Sequence, residues 1–249
     1  MPYPTPKYRS CCQPEPVGYR PKVFLTAEWR NLVLFNYAVD PGLLGKLAPP
    51  GTVIDSFEGK TYVSLVAFEF NSTRLRGVRV PLHQAFEEVN LRFYVRREDK
   101  RGVVFIRELV PKRAVAAIAR VVFNENYSCT PMSHRISGGE AEYCWGAGPD
   151  WCSMRLSAAA ESFLPPQGSL AQFIAEHYWG YAAQKDGGCL EYEVRHEPWR
   201  VFESKQAVFT GDAARWYGAG FAPILNGEPA SAFLAIGSPV TVFEGSRIA

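Results

Sequence analysis

The chain is expected to fold as α+β, with a mainly antiparallel sheet that is strongly curved or closed and with two principal helices. Three observations predict this. Segments with the two-residue apolar alternation of half-buried strands heavily outnumber those with a helical period, most connections between them are of hairpin length, and no strand–helix–strand rhythm of a parallel sheet appears. No internal repeat is evident.

Residues 1–21 are Pro-rich, with too little periodic apolar content for a regular element. They read as an extended arm lying on its own domain or on a partner subunit, so a homo-oligomer formed through the arm is an expectation. Residues 22–249 then make one domain, a size that α+β domains reach undivided. "NLVLFNYAV", Asn31 to Val39, is a strand. "DPGLLGKLAPPG" has the grammar of a short helix, with Asp40 as N-cap, Pro41 at the first helical position and Pro49-Pro50 as the stop. "TVIDSF" and "YVSLVAFEF" carry strand signals. The loop with Arg74, Arg76 and Arg79 reads as a solvated face or as a greeting for an anionic ligand.

"FEEVNLRFYV", Phe86 to Val95, is the clearest strand, and "RREDKRG" turns it into "VVFIREL". "PKRAVAAIARVVF" starts a helix with Pro111 at its first position and repeats apolar residues at Val115, Ile118, Ala119 and Val122. Strand-like pieces follow around Arg135, Ala141 to Trp145 and Cys152 to Ala158. "GSLAQFIAEHYWGYA" reads as the second long helix, Ser169 its N-cap, with Leu170, Phe173, Ile174, His177, Tyr178 and Tyr181 on one stripe. "CLEYEVRHEPW", "VFESKQAVF" and "AFLAIGSPVTVF" supply the last strands.

The composition, 47% hydrophobic and 21% charged, is that of a globular chain with a sizeable core. Its 27 basic and 25 acidic residues are interspersed rather than gathered on one face, which argues against nucleic acid as a partner. The start lacks an apolar run behind a basic tip, and no segment reaches the ~20 apolar residues of a membrane span. The expected location is therefore the cytoplasm, with no membrane partner. There the six cysteines, lacking a C-x-x-C pair or zinc-ligand spacing, read as free thiols.

The strand Phe86 to Val95 raises the functional question. Val89, Leu91, Phe93 and Val95 point one way, to a core, while Glu88, Asn90, Arg92 and Tyr94 point the other. That polar row is either washed by solvent or turned to an interior, where unpaired charge is costly and usually has a purpose. Pattern alone leaves both open.

The chain resembles the YqjF-like family of uncharacterised bacterial proteins (domain of unknown function 2071). The likeness rests on "WRNL" and "VDPGLLGKLAPPGTVIDSFEGKTYVSLVAF" between Trp29 and Phe68, on "FEEVNLRFYV", on "GVVFIREL" before the first long helix, on "GSLAQFIAEHYWGYA", and on "VRHEPW" from Val194 to Trp199. It implies an acetoacetate-decarboxylase-like fold, a cone-like antiparallel β barrel with helices packed outside. In that superfamily a glutamate in a motif similar to F-x-E lies in the central cavity, and by position it corresponds to Glu88. The resemblance thus turns the row Glu88, Asn90, Arg92 and Tyr94 inward. A glutamate and an arginine on one strand face can pair there, as ligand-binding groups or as a purely structural network.

Acetoacetate decarboxylases proper use a Schiff-base lysine, kept partly neutral by desolvation and a neighbouring cation. "PKR" at Pro111 to Arg113 imitates this, but the resemblance places that lysine after the helix, where "FNENYSCTPMS" contains none. Lys112 instead reads as a solvated residue of the first helical turn. His177 reads as a core histidine. His196 ends a strand beside Glu197 and Trp199 and is a candidate ligand-binding residue or a structural anchor. His83 and His134 are isolated, no metal-binding spacing is present, and no cofactor is expected.

These features predict a protein that holds a small polar or anionic organic molecule, with Glu88 as general acid or base and Asn90, Arg92, Tyr94 and His196 as binding groups. If it is an enzyme, it would be a lyase or hydrolase working without a covalent amine. The alternative is a non-catalytic binding or interaction module in which the same row is a structural Glu–Arg network.

Overall fold

The computed structural model describes residues 21–79 and 81–248. The Pro-rich arm, apart from Pro21, and any oligomer formed through it lie outside the described residues. Among the described residues, fifteen strands belong to one connected sheet. In chain order they are β1 (Val23–Val39), β2 (Val53–Ile54), β3 (Thr61–Leu75), β4 (Val78–Arg79), β5 (Phe86–Arg97), β6 (Lys100–Val110), β7 (Tyr127–Cys129), β8 (Met132–Ser137), β9 (Glu140–Trp145), β10 (Cys152–Phe163), β11 (Trp179–Ala183), β12 (Cys189–His196), β13 (Val201–Thr210), β14 (Ser231–Phe243) and β15 (Ser246–Arg247). The helices are short: α1 (Pro41–Gly45), α2 (Arg113–Val122), α3 (Leu170–Ala175), α4 (Ala213–Tyr217) and α5 (Ala222–Leu225). Pairing is antiparallel except where β6 meets β7 and β11.

Strand β14 organises the sheet. Its whole length pairs with β1, and its other edge is shared between β13 near Phe233–Ala235 and β12 near Val240–Val242. The ladder therefore runs from β14 through β1, β3, β5, β6, β11 and β12 and returns to β14, while β13, β10, β9 and β8 branch off as a second layer. Bending so long a ribbon needs a break in the ladder, and "WRNL" supplies it. Asn31 takes a left-handed conformation (φ 54°), the β1–β3 register slips between Arg30 and Val33, and Gly237 (φ 84°) lies opposite Arg30. A Cβ at Gly237 would sit 2.0 Å from the Trp29 carbonyl oxygen, so this kink admits only glycine.

Strand β5 is buried on both faces, which settles what its polar row is not: it is not wet. Val89, Leu91, Phe93 and Val95 pack with Phe35, Leu65, Trp145 and Met154 between the two layers. On the opposite side Phe86 and Tyr94 join Leu32, Val66, Phe68 and Phe173.

Two helices differ from expectation. α2 begins at Arg113 with Lys112 at its N-cap, so Pro111 precedes the helix, and Lys112 is half-buried. α3 begins on the Ser169 cap as expected, Ser169 Oγ accepting from Gln172 N, but it ends at Ala175. "WGYAA" beyond it is strand β11, paired with β12 and β6. The apparent helical stripe through His177, Tyr178 and Tyr181 is thus a coincidence of spacing. A strand whose backbone groups find two partners outcompetes two more turns of a helix that would leave those sheet edges unpaired. No helix among the described residues is long and apolar enough to cross a membrane.

Candidate functional site

A cavity of about 170 Å³ opens on the inner side of the curved sheet. Its wall is largely apolar, with Phe24, Trp29, Phe68, Phe86, Phe105 and Phe123 among the lining residues. Glu88, Asn90 and Arg92 project into it from β5, and His196 reaches it from the end of β12. Four of the five candidate residues from the sequence therefore share one cavity. Tyr94 does not: it continues the same face, but its hydroxyl meets Ser64 Oγ at 2.5 Å and its ring packs on Phe173 and His177.

Glu88 and Arg92 are both buried, at 3% and 8% exposure, yet the expected ion pair does not form. Four residues of strand rise separate their Cα atoms by ~13 Å, more than the two side chains close here. Glu88 is instead held by its near neighbours: Asn90 Nδ2 donates to Oε1 at 3.0 Å, and the Tyr127 hydroxyl donates to Oε2 at 3.0 Å. Arg92 Nη2 donates only to the Ile174 carbonyl at 3.4 Å, and its Nε has no partner.

Two further carboxylates, Glu108 and Glu125, line the same end of the cavity, along with Tyr127 and Tyr192. The Tyr192 hydroxyl donates to Glu125 Oε1, and Glu108, 1% exposed, donates to the Glu125 carboxylate when protonated, while its Oε2 receives no hydrogen bond from the rest of the described chain. Burial pushes the Glu88 carboxyl up to about 7 against the pull of its Asn90 and Tyr127 bonds and of Arg92. Burial likewise raises Glu125 to about 7, with the Glu88 charge adding to it. Glu108 is held well above the usual carboxylate range by burial and then by the charges of Glu125 and Glu88. Tyr127 and Tyr192 are raised well above their ordinary value by burial and these carboxylates, so they remain protonated donors. Near neutral pH the three carboxyls share protons as one system.

Sequence reasoning missed Glu108, Glu125, Tyr127 and Tyr192. In "GVVFIREL" the register of β5 and β6 slips between Leu91 and Arg92, so that Arg92 faces Phe105 and Leu91 faces Arg107. The slip puts Val103, Phe105 and Glu108 on one face and hides Glu108 from a two-residue pattern. Tyr127 opens the three-residue strand β7, and Glu125 lies just before it, a stretch too short to show a period. Tyr192 and Val194 do alternate, but alternation cannot say which face is inward.

The other end of the cavity is nearly neutral apart from Arg92. His177, 8% exposed with both ring nitrogens unpartnered, is held well below its ordinary value by burial and then by Arg92. His196 is lowered chiefly by burial; its Nδ1 lies 2.9 Å from the Glu197 carbonyl, and its ring stacks on Trp199 at 4.3 Å. Among the described residues no lysine lines the cavity, Lys112 included, and no three His, Cys, Asp or Glu side chains converge as a metal site.

Gly180 of β11 shapes the carboxylate end. A Cβ there would lie 2.1 Å from Tyr192 Cζ and 2.5 Å from its hydroxyl. Gly180→Ala is predicted to displace the Tyr192 ring from Glu125 and to cost ~1–3 kcal/mol, the usual penalty of overpacking. Chemical denaturation of the variant checks this, and an unchanged midpoint would show that the ring has room to move.

The family model DUF2071, described as an uncharacterized conserved protein, matches residues 26–239. The uncharacterized protein YqjF of Bacillus subtilis (strain 168) is 27% identical over 185 residues, 72% of this chain and 76% of that protein. Among solved structures, acetoacetate decarboxylase from Legionella pneumophila superposes with a TM-score of 0.65 at 11% identity, covering 99% of this chain and 98% of that one. The enduracididine biosynthesis enzyme MppR complexed with pyruvate gives 0.65 at 11% identity over 94% and 93% of the two chains. An acetoacetate decarboxylase-like enzyme from Sphingomonas wittichii RW1 gives 0.64 at 12%, over 90% and 93%. At such identities these structures share the fold.

Proposed function

We propose, from the premise that this chain belongs to the DUF2071 family of uncharacterized conserved proteins, that it binds a small organic acid inside its curved sheet and moves a proton on it through Glu88, without a lysine Schiff base. The ring of pairings through β14, β1, β3, β5, β6, β11 and β12 supports reading that sheet as a cone-like barrel with the cavity as its interior. The observation that carries the function is Glu88 itself. Its carboxyl is poised near 7 in an apolar cavity, where a general acid or base is most effective at neutral pH. Arg92, with a free Nε facing the same space, is the clamp for the acid's carboxylate. Asn90 orients Glu88, and His196 closes that end with an unprotonated ring.

On an oxo acid the step is an enolisation. The Glu88 carboxylate accepts a proton from the carbon beside the carbonyl, the C–H pair forms the carbon–carbon double bond of the enol, the carbonyl π pair moves onto the oxygen, and that oxygen takes a proton from the protonated Glu108. Because MppR is seen with pyruvate, pyruvate and acetoacetate are the apt probes. Incubated in heavy water with the protein, pyruvate is expected to gain deuterium at its methyl carbon faster than in buffer, and Glu88→Gln to abolish the gain. Borohydride treatment with either acid is predicted to leave no covalent adduct by mass spectrometry. An adduct on any lysine, Lys112 above all, would overturn the non-covalent reading, and exchange indifferent to Glu88→Gln would remove Glu88 from the chemistry.

A further inference from the structure

We propose that the carboxylate end of the cavity, formed by Glu88, Glu108 and Glu125 with the hydroxyls of Tyr127 and Tyr192, receives an organic ammonium group, so that the ligand is a small zwitterion whose carboxylate rests on Arg92. This deepens the organic-acid reading and rests on it for the Arg92 half.

Next to Glu88 the unpartnered buried atoms are acceptors, Glu108 Oε2 and Asn90 Oδ1, while elsewhere on the lining Arg92 Nε and Trp29 Nε1 are open donors and Thr73 Oγ1 and both His177 ring nitrogens are also unpartnered. Buried polar atoms are ordinarily satisfied, so acceptors left open in a cavity call for a donor from outside the chain. A neutral hydroxyl could satisfy one of them, but not the charge. Three carboxyls gather here, contributed by β5, β6 and the segment before β7, and the one permanent cation among the described lining residues, Arg92, lies four strand positions away from Glu88. An ammonium ion brings three donors and the missing positive charge to one point. The surrounding wall is suited to it as well: Phe24, Phe86, Phe105 and Phe123 offer ring faces and edges without competing donors.

Without a ligand the cluster keeps its charge down by holding protons, as the raised carboxyls of Glu88, Glu125 and Glu108 indicate. An ammonium ion takes over that task, so its binding releases protons near neutral pH. The sign follows: affinity for the cation rises as pH rises through about 7, because fewer protons remain to be displaced. The other titratable groups facing the cavity are Tyr127, Tyr192, His83, His177 and His196. The tyrosines stay protonated across this range, and His177 and His196 are lowered by burial.

Three probes of equal chain length separate the two halves of the ligand: 6-aminohexanoate, hexanoate and hexylammonium, titrated calorimetrically in buffers of different ionisation enthalpy. The expected result is that 6-aminohexanoate binds at least about tenfold tighter than hexanoate, the scale of one hydrogen bond to a charged group, with proton release. Glu108→Gln, checked for an intact melt, should erase that advantage, and Glu125→Gln should reduce it. Hexanoate binding as tightly as 6-aminohexanoate would overturn the ammonium subsite and leave the organic-acid reading standing. Hexylammonium binding while hexanoate does not would support the subsite and remove Arg92 as a clamp. Failure of all three probes would overturn both.

Discussion

At alkaline pH, Glu88→Gln is expected to be at least as stable as the wild type while losing the proton transfer proposed for Glu88. A folded-state carboxyl at about 7 against an ordinary 4.5 means that the folded protein holds a proton the unfolded chain has released. Between these values stability therefore falls as pH rises, and above about 7 the full penalty of a buried carboxylate is present. At 1.36 kcal/mol per pH unit this is worth roughly 3 kcal/mol for Glu88, an upper bound because Glu108 and Glu125 share the protons. Glutamine removes the charge and keeps the shape. Its Nε2 finds an acceptor, since Asn90 Oδ1 is unpartnered and a turn of that amide presents it to residue 88. The variant should then match the wild type near pH 4 and exceed it by up to ~3 kcal/mol at pH 8, where wild-type Glu88 is ionised. Urea midpoints of both proteins across that range decide the matter. A loss of several kcal/mol at every pH would mean that Glu88 anchors the fold, as a structural network would require.

Phe173→Ala should cost ~3–5 kcal/mol, as large core truncations do. α3 is only six residues long, so its own hydrogen bonds cannot hold it; the burial of Phe173, Ile174 and Ala175 does. Phe173 is 3% exposed and meets the rings of Phe57, Tyr62, Tyr94 and His177 at centroid distances of 5.6, 6.2, 5.2 and 5.3 Å, with the Arg101 guanidinium 4.7 Å over its face. The same helix presents the Ile174 carbonyl to Arg92. Loosening it is therefore expected to weaken binding of an organic acid as well as the fold. Denaturant unfolding measures the first effect and calorimetry with hexanoate the second. A stability loss below ~1 kcal/mol would place the ring at a site that repacks freely.

The sequence by itself determined the β-rich class, most strand positions, the Asp40 and Ser169 caps and the two faces of β5, because each is written in local terms: a period of two, a capping side chain or a proline. It also determined that Glu88, Asn90 and Arg92 project together, since alternate residues of one strand must. The family resemblance, and not the period, supplied the inward direction. What only the tertiary structure decided depends on neighbours distant in the chain. β11 emerged from an apparent helix because β6 and β12 offered its backbone two sheet partners. The Glu88–Arg92 pair gave way to Asn90 and Tyr127 because strand rise separates what sequence spacing seems to join. The carboxylate cluster itself, Glu88 with Glu108 and Glu125, was invisible to any local pattern. It exists only where a slipped β5–β6 register and a three-residue parallel strand bring separate segments to one point, and burial there turns ordinary glutamates into shared proton carriers.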